Sequence, residues 1–234
     1  MKNTMKSWLG PLFHLFFPRY CVVCGAPLIE SEETICTRCN MDMPRTNYHK
    51  VKDNPVERMF CGKFPLERAT SYFFYRKGGD FRRILHQFKY GGKKELGATM
   101  GRFMAAELSA TDFFKDIDVI IPVPLHPRKR KARGYNQSEW IARGVSQVSG
   151  IPVDISSVVR GKNTDTQTHK SVYERWENVD GIFRLHHPEY FTGKHVLIID
   201  DVLTTGSTTT ACADVFCEVA GIRISVLTLA VADS

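Results

Sequence analysis

The sequence predicts an α/β protein: a mostly parallel sheet flanked by helices, with a small amino-terminal module built on four cysteines. Three observations carry this. Apolar runs of strand length alternate with stretches of helical spacing over most of the 234 residues. One run, His195 to Ile199 (HVLII), is apolar after its histidine and leads straight into two acids and a Thr-rich turn, the pattern of a strand buried on both faces. Four of the seven cysteines form two Cys-x-x-Cys pairs inside the first fifth of the chain.

At the amino end, Trp8 to Tyr20 is apolar but broken by Pro11, His14 and Pro18. It is too short to span a bilayer, and a short amphipathic helix packed on the body is expected. Lys2 and Lys6 precede it, yet no small-residue cleavage site comes before Cys21, so export is the minor reading and the cytoplasm the expected location. Cys21/Cys24 and Cys36/Cys39 follow. Two such turns present four thiolates, enough to close a tetrahedron around Zn²⁺ with no position left for substrate, so a structural metal is expected. Disulfides and redox thiols are the alternatives; zinc is preferred because no thioredoxin-like βαβ pattern surrounds either pair. A polar stretch from Pro44 to Pro55 predicts a boundary, giving an amino-terminal unit over 1–55 and a main domain over 56–234.

In the main domain, Ala69 to Arg76 (ATSYFFYR) reads as a strand, and Asp80 to Phe88 places Phe81, Ile84, Leu85 and Phe88 at helical spacing. A helix over Lys94 to Leu108, a strand over Asp118 to Leu125 (DVIIPVPL) ended by prolines, a helix over Gln137 to Val148 and a short strand over Ile151 to Ile155 follow. A helix from about Ser207 to Val219 and a strand from Ile222 to Val231 complete the domain. Such a sheet binds ligands at the carboxyl ends of its strands.

A composition of 43% hydrophobic and 24% charged residues excludes wholesale disorder and coiled coil. Lys plus Arg number 32 against 25 Asp plus Glu, a net charge of +7 that favours anionic partners: phosphorylated metabolites, nucleic acid or a membrane surface. The most informative segment is Val196 to Thr208, VLIIDDVLTTGST. The strand delivers Asp200 and Asp201 to the carboxyl edge, where adjacent carboxylates repel unless a cation or sugar hydroxyls satisfy them. Thr204, Thr205, Gly206, Ser207 and Thr208 can wrap amides and hydroxyls around a phosphate at a helix N-terminus, Gly206 allowing close approach. The lysine and first glycine of a P-loop are missing, so triphosphate hydrolysis is not supported. The competing reading is a solvated acidic turn with a helix cap.

Arg128, Lys129, Arg130, Lys131 and Arg133 follow the DVIIPVPL strand, enough positive charge for a pyrophosphate or a nucleic-acid backbone; a solvated basic loop is the alternative. Cys212 shares a helical stripe with Val215, Phe216 and Val219 and reads as a buried thiol. Phe88-Lys89-Tyr90-Gly91-Gly92 reads equally as a platform for single-stranded nucleic acid and as core packing by Phe88 before a glycine turn.

The thirteen residues Val196 to Thr208 resemble the phosphoribosyl-pyrophosphate (PRPP) motif of type I phosphoribosyltransferases. The Cys₄ element, Ile121-Pro-Val-Pro-Leu-His126, Arg133-Gly-Tyr-Asn-Gln137 and Gln167…Arg175-x-x-Asn178-Val-x-Gly181 resemble the ComF family, whose members are linked to DNA uptake in natural transformation. The likeness covers nearly the whole chain and departs at Lys170, where an aliphatic residue is expected. It implies the type I phosphoribosyltransferase fold. It also implies that Asp200 and Asp201 are the catalytic pair, holding the ribose hydroxyls of PRPP directly or through Mg²⁺. Thr204 to Thr208 would hold the 5′-phosphate, and pyrophosphate would sit near the end of the strand Ile120 to Val123. Stabilising that leaving group would be the main contribution of the protein to pentosyl transfer. Some members of the wider fold bind PRPP as regulators without turnover, so two alternatives stand beside a working transferase. One is a single-stranded DNA-binding module of the uptake machinery, with a regulatory or vestigial PRPP site and DNA-uptake proteins as partners. The other is a nucleobase salvage enzyme. No residue in the sequence marks an acceptor pocket, and no general base stands out, although Asp200 or Asp201 could serve as one.

Overall fold

The apolar runs assemble into a parallel sheet in a computed structural model that describes residues 18–76, 78–161 and 182–232. The strands are β1 (Leu66–Tyr75), β2 (Val119–Pro122), β3 (Val158–Arg160), β4 (Phe183–Leu185), β5 (His195–Leu203) and β6 (Arg223–Ala232). Four of them form the sheet, in the order β1-β6-β5-β2 with every pairing parallel, and β3 pairs antiparallel with β4. The helices are α1 (Thr37–Met41), α2 (Pro55–Phe60), α3 (Arg82–Tyr90), α4 (Lys94–Leu108), α5 (Pro127–Arg133), α6 (Gln137–Ser149) and α7 (Ser207–Asp214).

Both faces of the sheet are covered, which is why its strands read as near-continuous apolar runs. Val196 and Ile198 of β5 face one layer, packed with Val56 and Phe60 of α2 and Cys212 of α7. Leu197 and Ile199 face the other, packed with α3, α4 and α6. Cys212 is fully buried, as its helical stripe requires. Helices α4 and α6 cross so closely that a Cβ on Gly144 would lie 2.1 Å from the carbonyl oxygen of Ala98. The cysteine module packs on the second layer, with Cys21, Val23, Ile35 and Cys39 in the same apolar cluster as Ile84, Phe88 and Met100.

Several elements differ from expectation, each for a local reason. The strand expected over His195 to Ile199 runs on to Leu203 because β6 keeps pairing with it, Asp200 opposite Thr228 and Leu203 opposite Val231; the acids therefore lie within the strand. The strand expected over Ile151 to Ile155 is a single bridge from Val153 to Ile120, next to Pro152, which has no N–H to give a ladder. The strand expected over Asp118 to Leu125 is the four-residue β2, closed by Pro122 and Pro124. The helix expected to reach Val219 ends at Asp214. Beyond it the chain tightens into three-residue turns, with Phe216 N–H on Ala213 O at 3.0 Å and Cys217 N–H on Asp214 O at 3.1 Å.

The basic segment expected as a loop is helix α5. Pro127 starts it, His126 Nδ1 accepts the Arg128 N–H at 3.2 Å, and Gly134 ends it in the left-handed region. The helix expected over Trp8 to Tyr20 lies almost wholly outside the described residues, as does the Gln167 to Gly181 motif. Among the described residues no helix is long and apolar enough to cross a membrane.

Candidate functional site

Two clusters of chemistry-bearing side chains stand out. In the first, the sulfurs of Cys21, Cys24, Cys36 and Cys39 all lie within 4.8 Å of one another, and Cys24 Sγ is 3.8 Å from Cys36 Sγ. A tetrahedral Zn²⁺ with Zn–S bonds of about 2.3 Å has an S···S edge of about 3.8 Å, so the donor set fits that ion. The four thiols are free, not bridged. Amides point at the sulfurs: Cys36 N–H donates to Cys21 Sγ and Cys39 N–H to Cys36 Sγ, each at 3.4 Å. Burial opposes ionisation of Cys21, but the N–H groups of Cys24, Cys36 and Val23 draw its thiol down to about 7. Burial and the neighbouring sulfurs push Cys39 far up. Four crowded sulfurs, one of them inclined to ionise, form a set that a cation completes.

The second cluster sits at the carboxyl edge of the sheet. Asp200 Oδ1 accepts the Ser138 hydroxyl at 3.0 Å and the Asp201 N–H at 2.8 Å. Ser138 is in the first turn of α6, whose cap Asn136 accepts the Ser138 N–H at 3.2 Å and donates to Val123 O at 3.0 Å. Asp201 Oδ2 pairs with Lys89 Nζ of α3 at 3.0 Å, with the two side chains 16% and 24% exposed. Burial first, and the Asp201 charge second, push the Asp200 carboxyl up to about 7, against the pull of the Asp201 amide, Ser138 and Lys89. Both acids are half-buried and both keep some solvent contact.

After Val202 and Leu203 comes the turn into α7. Thr204, Thr205, Ser207 and Thr208 are exposed, and Gly206 is buried with φ +75°. A Cβ there would come within 2.9 Å of Phe60 Cε1 and 3.1 Å of Met59 Sδ, so glycine is required twice over. The Thr205 and Ser207 hydroxyls are 2.9 Å apart, Thr205 Oγ1 accepts the Ser207 N–H at 3.4 Å, and Gly206 at the cap position of α7 has no side chain to offer the amides that follow. Amides, hydroxyls and the positive end of the α7 dipole therefore lie together at this turn, the groups with which a helix start holds an anion.

The structure does not bring the five predicted cations together. Arg133 donates to Gln137 Oε1 at 2.8 Å and lies 5.6 Å from the ring of Tyr90, the residue after Lys89. Arg130 instead lines a cavity of about 290 Å³ with Pro122, Glu139 and Arg160. Arg128, Lys129 and Lys131 are exposed on α5.

Comparison with known proteins fits both clusters. The double zinc ribbon domain family matches residues 12–49, and the phosphoribosyl transferase domain family matches residues 98–232, more than half of the chain. The DNA utilization protein YhgH of Escherichia coli (strain K12) is 30% identical over 191 residues, 80% of this chain and 79% of that protein. Competence protein F of Haemophilus influenzae is 27% identical over 203 residues, 82% of this chain and 88% of that protein. This chain belongs to the ComF family. Among solved structures, the glutamine PRPP amidotransferase from B. subtilis aligns over 60% of this chain and 30% of its own, at 18% identity and a TM-score of 0.42.

In this ComF protein the ribbon match and the four clustered sulfurs support a structural zinc at Cys21, Cys24, Cys36 and Cys39. Sequence reasoning missed Lys89 and Ser138, the residues that hold the two acids. Asn136 before an apolar-periodic run was a readable helix start, which places Ser138 in a first turn but not against Asp200. Lys89 was noticed only as part of a basic, aromatic stretch. Phe88 is indeed core, while Tyr90 is 70% exposed.

Proposed function

We propose that this chain binds PRPP together with Mg²⁺ at Asp200, Asp201 and Thr204 to Thr208, and that it serves DNA uptake from the cytoplasm. The observation that carries this reading is the order of parts along β5 and α7: two half-buried carboxylates, then a helix N-terminus whose cap residue, Gly206, offers no side chain and takes φ +75° close against Phe60. A sugar phosphate presents the complement, hydroxyls that donate and a phosphoryl group that accepts. Asp200 Oδ1 is already engaged by Ser138 and Asp201, which leaves Oδ2 to accept from a ribose hydroxyl. The α7 amides and the Thr205 and Ser207 hydroxyls would hold the 5′-phosphate. The carboxylates of Asp200 and Asp201 are hard oxygen donors of the kind Mg²⁺ takes, and that ion supplies charge neutralisation for pyrophosphate. Where an acceptor is present, the anomeric C–O bond breaks with its electrons leaving on pyrophosphate, and the acceptor forms the new bond. The part the chain plays is electrostatic, with Arg133, bonded to Gln137 at the start of α6, as the cation for the leaving group. The link to DNA uptake comes from relatives named for DNA utilization and competence.

A second reading, contact with single-stranded DNA, is favoured by the run of exposed basic residues on α5 and by exposed Tyr90. One experiment tests both. Calorimetric titration with PRPP and Mg²⁺, and pyrophosphate release across a panel of bases and single-stranded DNA, are measured for the wild type and for Asp200→Asn/Asp201→Asn. The double variant is expected to lose PRPP binding by at least about 100-fold and to keep its DNA affinity. No PRPP binding by the wild type defeats the reading; equal loss of both affinities in a folded variant defeats separate sites.

A further inference from the structure

We propose that α3 is a strut through which the cysteine turn at Cys21–Cys24 fixes Lys89 against Asp201, which makes Arg83 and Lys89 positioning residues of the acid pair. The two ends of this nine-residue helix touch the two clusters. In its first turn, Arg83 Nη1 donates to the carbonyl oxygen of Val23 at 2.6 Å, and Val23 lies between Cys21 and Cys24. In its last turn, Lys89 Nζ meets Asp201 Oδ2 at 3.0 Å. Six steps along the helix separate them, about 9 Å of rise.

Between those contacts the helix is anchored. Ile84, Leu85 and Phe88 are buried in the same apolar cluster as Cys21, Val23 and Cys39, so its inner face and the module share one core. Its carboxyl end is clamped: the Phe88 carbonyl accepts the Tyr135 hydroxyl and, at 3.4 Å, Gln137 Nε2. Tyr135 and Gln137 flank the start of α6, where Ser138 holds Asp200. Each acid is thus held from a different helix, and the two helices are bonded to each other beside the site. The shape of the Cys21–Cys24 turn depends on two of its sulfurs reaching one ion, so the position of the Val23 carbonyl depends on the metal. Lys89 in turn balances the charge of Asp201, allowing adjacent carboxylates to stay available as acceptors.

The coupling deepens the PRPP reading only through the ligand it would serve; the strut itself needs no ligand. Its test therefore has two readouts on the full chain. The first is acetylation of the Lys89 amine by an N-hydroxysuccinimide ester in ligand-free protein, followed by mass spectrometry against exposed Lys115 as reference. Zinc chelation, or Arg83→Gln with zinc retained, is expected to raise labelling of Lys89 about fivefold, while Arg82→Gln on the exposed face leaves it unchanged. The second is affinity for PRPP with Mg²⁺. Arg83→Gln weakens it roughly threefold to tenfold, and by nothing further in a Lys89→Met background. Unchanged Lys89 labelling in Arg83→Gln overturns the strut, as does full additivity of the two substitutions. Should the wild type not bind PRPP, the binding reading falls and labelling alone decides the strut. Should chelation unfold the sheet, seen as lost amide protection in β5 and β6, the metal-retaining Arg83→Gln decides it.

Discussion

Four sulfurs within 4.8 Å of one another at the amino end, and two adjacent carboxylates at the edge of the sheet, both crowd acidic groups, and the protein answers the two cases differently. Around the sulfurs the chain supplies amide dipoles at 3.4 Å, so full compensation falls to a metal. Around the carboxylates it supplies a hydroxyl from Ser138 and a cation from Lys89. A centre balanced by the ion itself is closed and structural. One balanced by side chains can stand without a ligand and exchange it. This difference separates a staple from a binding site more sharply than charge or burial does.

The largest effect follows from removing the ion. Chelation at neutral pH is expected to unravel residues 19–43, since the small module has little apolar core of its own. Structural zinc in such modules is worth on the order of 10 kcal/mol of folding free energy. Circular dichroism and amide exchange measure it, with one zinc per chain released. Full protection of the Cys36–Met43 amides after chelation would erase the contrast, because the turns would then be held by packing alone. Cys24→Ser, at the exposed ligand position, should weaken metal retention without touching the core.

Removing an acid from the other cluster should have the opposite sign. Asp200 has a folded pKa raised to about 7 from an ordinary 3.8. An acid whose pKa is raised by folding carries no penalty below its unfolded value. The penalty grows as pH rises from about 4 to about 7 and is level above that. Asp200→Asn is therefore expected to stabilise the ligand-free protein at pH 8 by on the order of 4 kcal/mol relative to its effect at pH 4. Denaturant unfolding in the presence of a chelator for Mg²⁺ measures the difference. The same change at both pH values would mean that the acid pair is as fully compensated as a structural centre.

Much of this was legible in the chain because it rests on local pattern. HVLII, the paired acids and the TTGST turn stand consecutively, so strand, edge and helix start could be placed without knowing what packs on them. The cysteine spacing alone gave the ligand set that the clustered sulfurs and the ribbon match support. What could not be read is contact between segments distant in sequence. Lys89 lies 112 positions before Asp201, and Ser138 lies 62 before Asp200; only the closing of α3 and α6 on the sheet brings them in. Helix α5 was missed despite a proline at its start and a glycine after its end, because five basic residues drew attention to charge ahead of backbone. The extension of β5 to Leu203 was missed because strand length is decided by β6, which still offers partners at Ala230 and Val231.

The smallest effect tests how finely the acid pair is balanced. Three groups hold the Asp200 carboxyl down against burial: the Asp201 N–H and the Ser138 hydroxyl, which donate to it directly, and Lys89, which acts through its charge from the far side of Asp201. A direct hydrogen bond falls off within tenths of an ångström, whereas a charge acts over the whole pair. Ser138→Ala should therefore raise the Asp200 midpoint by about half a unit to one unit. Lys89→Met should raise it too, by less than Ser138→Ala does. Titration of the Asp200 carboxyl carbon by NMR reads both shifts, and the hydroxyl is restored in Ser138→Thr as a rescue. If Lys89→Met moves Asp200 further than Ser138→Ala does, charge outweighs the direct hydrogen bond. The site then depends on its cation much as the cysteine cluster depends on its metal, and the contrast drawn between them narrows to a difference of degree.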